Sequence, residues 1–167
     1  MKRPQKPKLL SVYGGFFFLL IALDMVLKTY TIGFLHAPLV LLHLPFGIDF
    51  SLEKVLNDGA MWGVFSEYFS FLLFFRICVT AALVVILLWF TKKKVVAVLL
   101  TILISGALGN IIDSLIYGHV IDMLHFTFSG NSYGVFNLAD TYIFIGCLGL
   151  ILHSFITKEK KHDASTV

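Results

Sequence analysis

The chain has 167 residues, of which 58% are hydrophobic and 14% are charged, and its formal net charge is +3. Soluble domains usually have about 25% charged residues, so this composition excludes an ordinary water-soluble enzyme and indicates a protein embedded in lipid. The basic residues lie at the ends of apolar segments and not along one polar face, which argues against a nucleic-acid-binding protein.

Four apolar segments are long enough to cross the hydrocarbon core of a bilayer, which takes about 20 helical residues. They cover residues 11–32, 67–90, 95–115 and 138–157. The first follows a basic start but is too long for a signal-peptide core and precedes no cleavage pattern, so we interpret it as a retained anchor. The sequence therefore predicts an all-α membrane protein with four transmembrane helices.

Ten of the 13 lysine and arginine residues fall on one side of these predicted spans. They are Lys2, Arg3, Lys6, Lys8, Lys92, Lys93, Lys94, Lys158, Lys160 and Lys161. Basic residues accumulate in cytoplasmic loops, so both termini are predicted to be cytoplasmic. Residues 33–66 and 116–137 are then on the outer side, and residues 158–167 form a disordered polar cytoplasmic tail.

Two stretches of the outer segments have strand patterns. Residues 48–55 partly alternate between apolar and polar, and residues 120–128 are rich in strand formers and end at a turn signal over 129–132. Backbone groups need hydrogen-bond partners in lipid, so a small surface sheet is favoured over bare loops. We predict a small β-rich cradle on the outer, periplasmic side of a single membrane domain covering residues 1–157.

Charged side chains at bilayer depth are costly, so those within the spans are candidates for function. Asp24 and Lys28 are four residues apart and share one face of the first helix. A local ion pair that eases insertion and a supporting role in a site both remain open. Gly106, Asn110 and Asp113 form a stripe in the third span, which suits either close helix packing or a site.

Two aspartates flank the junction between the third and fourth spans. Asp122 follows the third span and Asp140 begins the fourth, so the topology brings both to a similar depth at the outer surface. Asn137 is a candidate N-cap for the fourth helix, whose dipole favours an ionised Asp140. Two surface acids at helix ends are the plain alternative to a site.

Paired carboxylates that share one proton suit peptide hydrolysis, because one can act as general base and the other as general acid. The sequence has no GxSxG, HExxH or P-loop pattern. Its two cysteines and six histidines do not have the spacing of metal ligands. The carboxylate pair is therefore the chemistry that the residues favour.

Four segments together resemble the bacterial lipoprotein signal peptidases, also called type II signal peptidases, over about residues 10–157. They are Asp24 to Lys28, Asn57 to Gly63, Gly109 to Asp113 with Gly118 to Asp122, and Phe136 to Asp140. The resemblance implies an aspartic endopeptidase of the bacterial inner membrane. Such an enzyme removes the signal peptide of prolipoproteins by cutting N-terminal to a diacylglyceryl-modified Cys, and it needs no metal or organic cofactor.

The resemblance also implies roles for single residues. Asp122 and Asp140 are the catalytic pair. The substrate-binding and supporting residues are Asp24, Lys28, Asn57, Gly59, Gly109, Asn110, Asp113, Asn137 and Ala139. The expected partners are a diacylglyceryl-modified prolipoprotein and membrane lipid, without nucleic acid, and we expect a monomer whose outer segments cover the substrate.

The sequence departs from the family pattern at several positions. Ser114 stands where the family usually has Arg, and we hypothesise that Arg76 or Lys28 supplies the missing cation from another helix. Met61 and Trp62 stand where Ala and Phe are usual. A small proton-coupled transporter and a non-catalytic membrane assembly factor are the alternative functions, because intramembrane acids and bases also mark proton pathways.

Overall fold

The computed structural model describes residues 6–58 and 66–163 of the chain. Four helices and four strands follow one another within these ranges. In chain order they are α1 (Lys6–Phe34), β1 (Leu39–Leu44), β2 (Ile48–Asn57), α2 (Phe69–Val85), α3 (Lys94–Tyr117), β3 (Val120–Phe128), β4 (Asn131–Phe136) and α4 (Leu138–Asp163). A π-helical turn, Ile86–Phe90, extends α2.

Each of the four helices has a stretch that is long and apolar enough to cross a membrane. These stretches are Tyr13–Phe34, Phe69–Phe90, Lys94–Tyr117 and Leu138–Thr157. The prediction of four membrane-spanning helices is therefore confirmed, with ends that agree within two residues. Helix α4 continues to Asp163, so helix and not disorder covers residues 158–163. The reason is local, because the lysines and glutamate that follow Thr157 are good helix formers.

The four strands form one antiparallel sheet in the order β1-β2-β3-β4. The strands predicted over 48–55 and 120–128 are confirmed as β2 and β3, whereas β1 and β4 were not predicted. Strands β3 and β4 join through Ser129 and Gly130, whose φ angles are 48° and 79°. A two-residue hairpin turn of this kind needs positive φ at both positions, so the turn signal is confirmed as well.

The sheet packs on the ends of α1 and α3 through a buried apolar cluster. The cluster contains Leu35 after α1, Leu52 of β2, and Ile121 and Met123 of β3. Successive side chains of a strand point to opposite faces. Asp122, which lies between Ile121 and Met123, is therefore directed to the face opposite the cluster.

Helix α3 is the centre of the helical bundle. In an 18-residue apolar stretch of α3, 56% of the residues are buried, compared with 22% or fewer in the corresponding stretches of the other three spans. Two glycines bring α3 and α4 close together. A Cβ at Gly106 would overlap the carbonyl oxygen of Ala139, and a Cβ at Gly146 would lie 2.7 Å from the Cβ of Leu103. The packing role predicted for Gly106 is thus confirmed.

Gly106→Ala is expected to lower the free energy of unfolding by about 1–3 kcal/mol, the usual cost of overpacking a tight contact. Thermal unfolding of the purified protein in detergent measures this change. Gly15→Ala, in α1, is the matched control, because a Cβ there meets nothing within 4 Å. Equal unfolding temperatures for the two variants would show that α3 and α4 can move apart at Gly106 with little loss of stability.

Candidate active site

The first turn of α4 holds Asp140 in a reciprocal pair of hydrogen bonds with Asn137. The backbone N–H of Asp140 donates to Asn137 Oδ1 at 2.8 Å, and the backbone N–H of Asn137 donates to Asp140 Oδ2 at 3.2 Å. This arrangement is a capping box with Asp as its acidic member. The box fixes both side chains, and the N-cap predicted at Asn137 is confirmed.

Asp122, on β3, accepts a hydrogen bond at each of its carboxylate oxygens. Asn137 Nδ2 donates to Asp122 Oδ1 at 2.8 Å, and Asn57 Nδ2 donates to Asp122 Oδ2 at 2.9 Å. Asn57 ends β2, which pairs with β3, so the sheet delivers this donor. The Asp122 side chain is buried, whereas Asp140 is half-buried.

Asn110 joins the capped helix to the rest of the site. Its Nδ2 donates to Asp140 Oδ1 at 2.7 Å. Its Oδ1 accepts from Asn137 Nδ2 at 3.0 Å and from Lys28 Nζ at 3.3 Å. The amide of Asn137 therefore donates to Asp122 and to Asn110, while Asn110 donates to Asp140. The two aspartates thus belong to one continuous hydrogen-bond network.

Behind the asparagines lies a fully buried ion cluster. Lys28 Nζ is 2.7 Å from Asp24 Oδ2 and 2.7 Å from Asp113 Oδ2. With its contact to Asn110, the ammonium group uses all three of its donors. The local pair predicted for Asp24 and Lys28 is confirmed, and the second acid, from α3, makes it a link between helices.

The same acids also hold the backbone that carries the two aspartates. Asp24 Oδ1 accepts from the backbone N–H of Ala139 at 2.9 Å, next to Asp140. Asp113 Oδ2 accepts from the backbone N–H of Ile121 at 3.2 Å, next to Asp122. No side-chain pattern signals these backbone donors, so the sequence could not have revealed them.

Burial raises the pKa of Asp122 to about 6, above the usual range for an aspartate. The hydrogen bond from Asn57 lowers this pKa, the negative charge of Asp140 raises it, and the hydrogen bond from Asn137 lowers it. Asp122 thus favours its protonated form more than an exposed carboxyl would. Asp140 lies at the positive end of the α4 dipole, which favours an ionised carboxylate. The two environments suit a pair that shares one proton.

Most of the residues predicted for the site converge here. The bonds given above join nine of them, which are Asp24, Lys28, Asn57, Asn110, Asp113, Asp122, Asn137, Ala139 and Asp140. Gly109 lies beside them, because a Cβ there would be 2.7 Å from Asp24 Oδ2. Gly59, Met61 and Trp62 lie outside the described residues.

Ser114 does not reach the acids, since its hydroxyl donates to the carbonyl of Asn110 on its own helix at 2.8 Å. Lys28, one of the two cations hypothesised to stand in for the missing Arg, lies 2.7 Å from the neighbouring Asp113. The role suggested for Arg76 stays a prediction. Within residues 6–58 and 66–163, no group of three His, Cys, Asp or Glu side chains is arranged to hold a metal ion. Among the described residues, the side chains joined in the site are carboxylates, amides and the ammonium group of Lys28.

The family model described as Signal peptidase (SPase) II matches residues 16–156. A lipoprotein signal peptidase of Chlamydia trachomatis serovar D is 43% identical over 115 residues, which cover 68% of this chain and 69% of that protein. The lipoprotein signal peptidase of Chlamydia muridarum is 35% identical over 152 residues, covering 86% and 91%. That of Streptococcus agalactiae is 31% identical over 137 residues, covering 80% and 85%.

A solved structure described as a bacterial membrane enzyme has a similar fold. Its TM-score with this chain is 0.79 at 24% sequence identity, and the match covers 90% of this chain and 92% of that one. The arrangement of helices and sheet is therefore shared with that enzyme.

Lys28→Met is expected to lower the free energy of unfolding by about 3–5 kcal/mol, because it leaves two buried carboxylates without their cation. Circular dichroism during thermal unfolding in detergent measures the loss. Lys54→Met is the matched control, since Lys54 is an exposed lysine of β2. Adding Asp24→Asn and Asp113→Asn to Lys28→Met should recover part of the loss. A triple variant that is less stable than the single variant would contradict the ion-cluster account.

Proposed function

The chain belongs to the signal peptidase II family, and we propose that Asp122 and Asp140 are the catalytic pair with which it works. The protein is a protease that removes the signal peptide from prolipoproteins by cutting N-terminal to a diacylglyceryl-modified Cys. One observation carries the assignment of the pair. Asn137 bonds to both aspartates: its side-chain amide donates to Asp122, and its backbone N–H donates to Asp140. The two carboxyl groups are therefore held in fixed positions beside the same residue.

In the proposed reaction, one carboxylate takes a proton from a water molecule, whose oxygen attacks the scissile carbonyl carbon. The other carboxyl group, protonated at the start, donates its proton to the carbonyl oxygen. As the C–N bond breaks, the carboxyl group that took the proton from water donates it to the leaving amine of the modified Cys, and the other carboxylate takes back the proton from the oxygen as the C=O bond re-forms. The products are a signal peptide with a new carboxylate and a lipoprotein with a free amino terminus.

The surroundings of each group support Asp140 as the base and Asp122 as the acid. Asp140 lies at a helix N-terminus and accepts hydrogen bonds from Asn110 and from the backbone of Asn137, which favour its ionised form. Asp122 is buried and its pKa is raised to about 6, which favours its protonated form. The proton belongs to the pair as a unit, so a pH profile reports the pair.

We place both termini in the cytoplasm and the aspartates and the sheet at the outer, periplasmic face. The basic residues before the first span (Tyr13–Phe34), between the second and third spans and after Thr157 support this orientation. The sheet lies on the same side as the aspartates, because β1 and β2 connect α1 to α2, and β3 and β4 connect α3 to α4. A signal peptide would then reach the site as an apolar helix within the bilayer, with its scissile bond at the membrane surface.

The proposed substrate cradle is the sheet itself. Strand β1 presents a largely apolar surface, since all six residues from Leu39 to Leu44 are exposed and all but His43 are apolar. Strand β3 carries Asp122, so a substrate lying along the sheet would reach the catalytic pair.

The interior of α3 supports a proton-coupled transporter less well than it supports a peptidase. A proton path needs polar groups that can exchange partners across the membrane. Thr101 and Ser105 are buried in the middle of α3, and each hydroxyl donates to a carbonyl of its own helix, at 2.8 Å. Proton flux into liposomes that is lost in Asp24→Asn would favour the transporter.

Asp122→Asn and Asp140→Asn should each reduce cleavage of a diacylglyceryl-modified prolipoprotein by at least about 10²–10⁴-fold, the usual contribution of a general acid or base. Cleavage by the purified chain in detergent is followed on gels, beside an unmodified precursor that should stay intact. Glu67→Gln is the matched control, because Glu67 is an exposed acid just before α2 and lies outside the sheet. Full activity in either site variant would disprove the assignment of that residue.

The pH dependence of kcat/KM is expected to fall as the pH rises through the pKa of Asp122, near 6, because the acid then loses its proton. Asn57→Leu removes a donor that stabilises the ionised form, which raises the pKa of Asp122. The falling limb should therefore move to higher pH in this variant. Asn131→Leu, at an exposed asparagine of β4, should leave the limb in place. A limb that moves to lower pH in Asn57→Leu would contradict the assignment of Asp122 as the acid.

A further inference from the structure

A groove of about 560 Å³ lies at the end of the helical bundle farthest from the aspartates. Its lining residues are Ile86, Phe90, Thr91, Lys92, Lys93, Val96, Leu150, His153, Ser154 and Thr157. They come from the end of α2, the start of α3 and the second half of α4. The catalytic pair lies beyond the other end of α3, and 24 helical residues separate the two ends by about 36 Å.

The groove is amphipathic. Ile86, Phe90, Val96 and Leu150 form its apolar wall, and the other lining residues form a polar end. The wall includes the π-helical turn Ile86–Phe90, where Thr91 Oγ1 donates to the carbonyl of Ile86 at 2.9 Å. Such π-helical turns are uncommon and often occur at functional sites.

The polar end offers several groups that attract an anion. Lys92 and Lys93 line it, and the first turn of α3 begins there. Lys93 is the N-cap of α3 but makes no side-chain capping hydrogen bond. The N–H groups of a helix start that lacks a side-chain cap, together with the helix dipole, form a site for phosphate or carboxylate groups.

His153 of α4 also lines the polar end of the groove. His153 Nε2 is buried and has no hydrogen-bond partner among the described residues. The neighbouring hydroxyl groups donate elsewhere, since Thr157 Oγ1 donates to the carbonyl of His153 at 2.7 Å and Thr91 Oγ1 to that of Ile86. Nε2 has almost no accessible surface, so a headgroup oxygen reaches it only after the imidazole ring turns toward the groove.

We propose that this groove binds the headgroup of an anionic phospholipid, with the phosphate at Lys92, Lys93 and the start of α3. The acyl chains would follow the apolar wall into the bilayer. That wall and the volume of the groove favour a lipid over inorganic phosphate, and basic pockets between membrane helices suit acidic headgroups. The site is separate from the peptidase site and does not depend on the proposed catalytic pair.

Native mass spectrometry of the full chain in detergent tests the proposal, with phosphatidylglycerol and phosphatidylcholine of the same acyl chains as probes. Phosphatidylglycerol should bind more tightly than phosphatidylcholine. Lys92→Gln and Lys93→Gln should each weaken its binding about fivefold, which is the effect of one lysine near an anionic lipid surface. Lys94→Gln is the matched control, since Lys94 is an exposed neighbour that does not line the groove.

Three results would overturn the proposal. Equal binding of the two lipids would show that no charged headgroup is recognised. An equal loss in all three lysine variants would show a general effect of surface charge. Displacement of phosphatidylglycerol by an equal concentration of inorganic phosphate would identify a phosphate site and not a lipid site.

Discussion

The burial of Lys28 is the constraint on which the rest of the site depends. An ammonium group removed from water must be paired and fully hydrogen-bonded, because an unpaired buried charge is strongly destabilising. Lys28 meets this requirement with Asp24 on its own helix and Asp113 on α3. These two acids accept the backbone N–H groups of Ala139 and Ile121, which adjoin the proposed catalytic aspartates. One buried cation thereby fixes α1, α3, α4 and β3 against one another.

The two aspartates differ because one lies on a strand and the other on a helix. Asp122 is buried on strand β3, where desolvation favours the protonated acid. Helix α4 presents Asp140 at its first turn, where the dipole favours the carboxylate. Asn137 spans the junction between strand and helix and bonds to both. The fold thus creates an acid and a base from the same residue type.

The helices could be predicted from the sequence because a membrane span needs only length and apolarity. Asp24 and Asp113 could be proposed because charges within spans are costly, and Asp122 and Asp140 because the topology brings both to one end of the spans. The family resemblance added Asn57. Strand β1 escaped prediction since Leu39–Leu44 is apolar almost throughout and lacks alternation, and it pairs with β2 along an exposed edge. Short β4 depends on pairing with β3, which is a property of the sheet and not of its own sequence.

Helix α3 carries the unfavourable sign of charge at both of its ends. Lysines surround its N-terminus, where the dipole favours anions, and Asp113 lies near its C-terminus, where the dipole favours cations. At the C-terminal end, Lys28 neutralises Asp113 from within the fold. The N-terminal end of α3 likewise lacks a charge of the sign that its dipole favours, and an anionic lipid headgroup would supply that negative charge from outside the fold. The proposed lipid site and the proposed catalytic site thus follow from the same electrostatic requirement, applied at opposite ends of one helix.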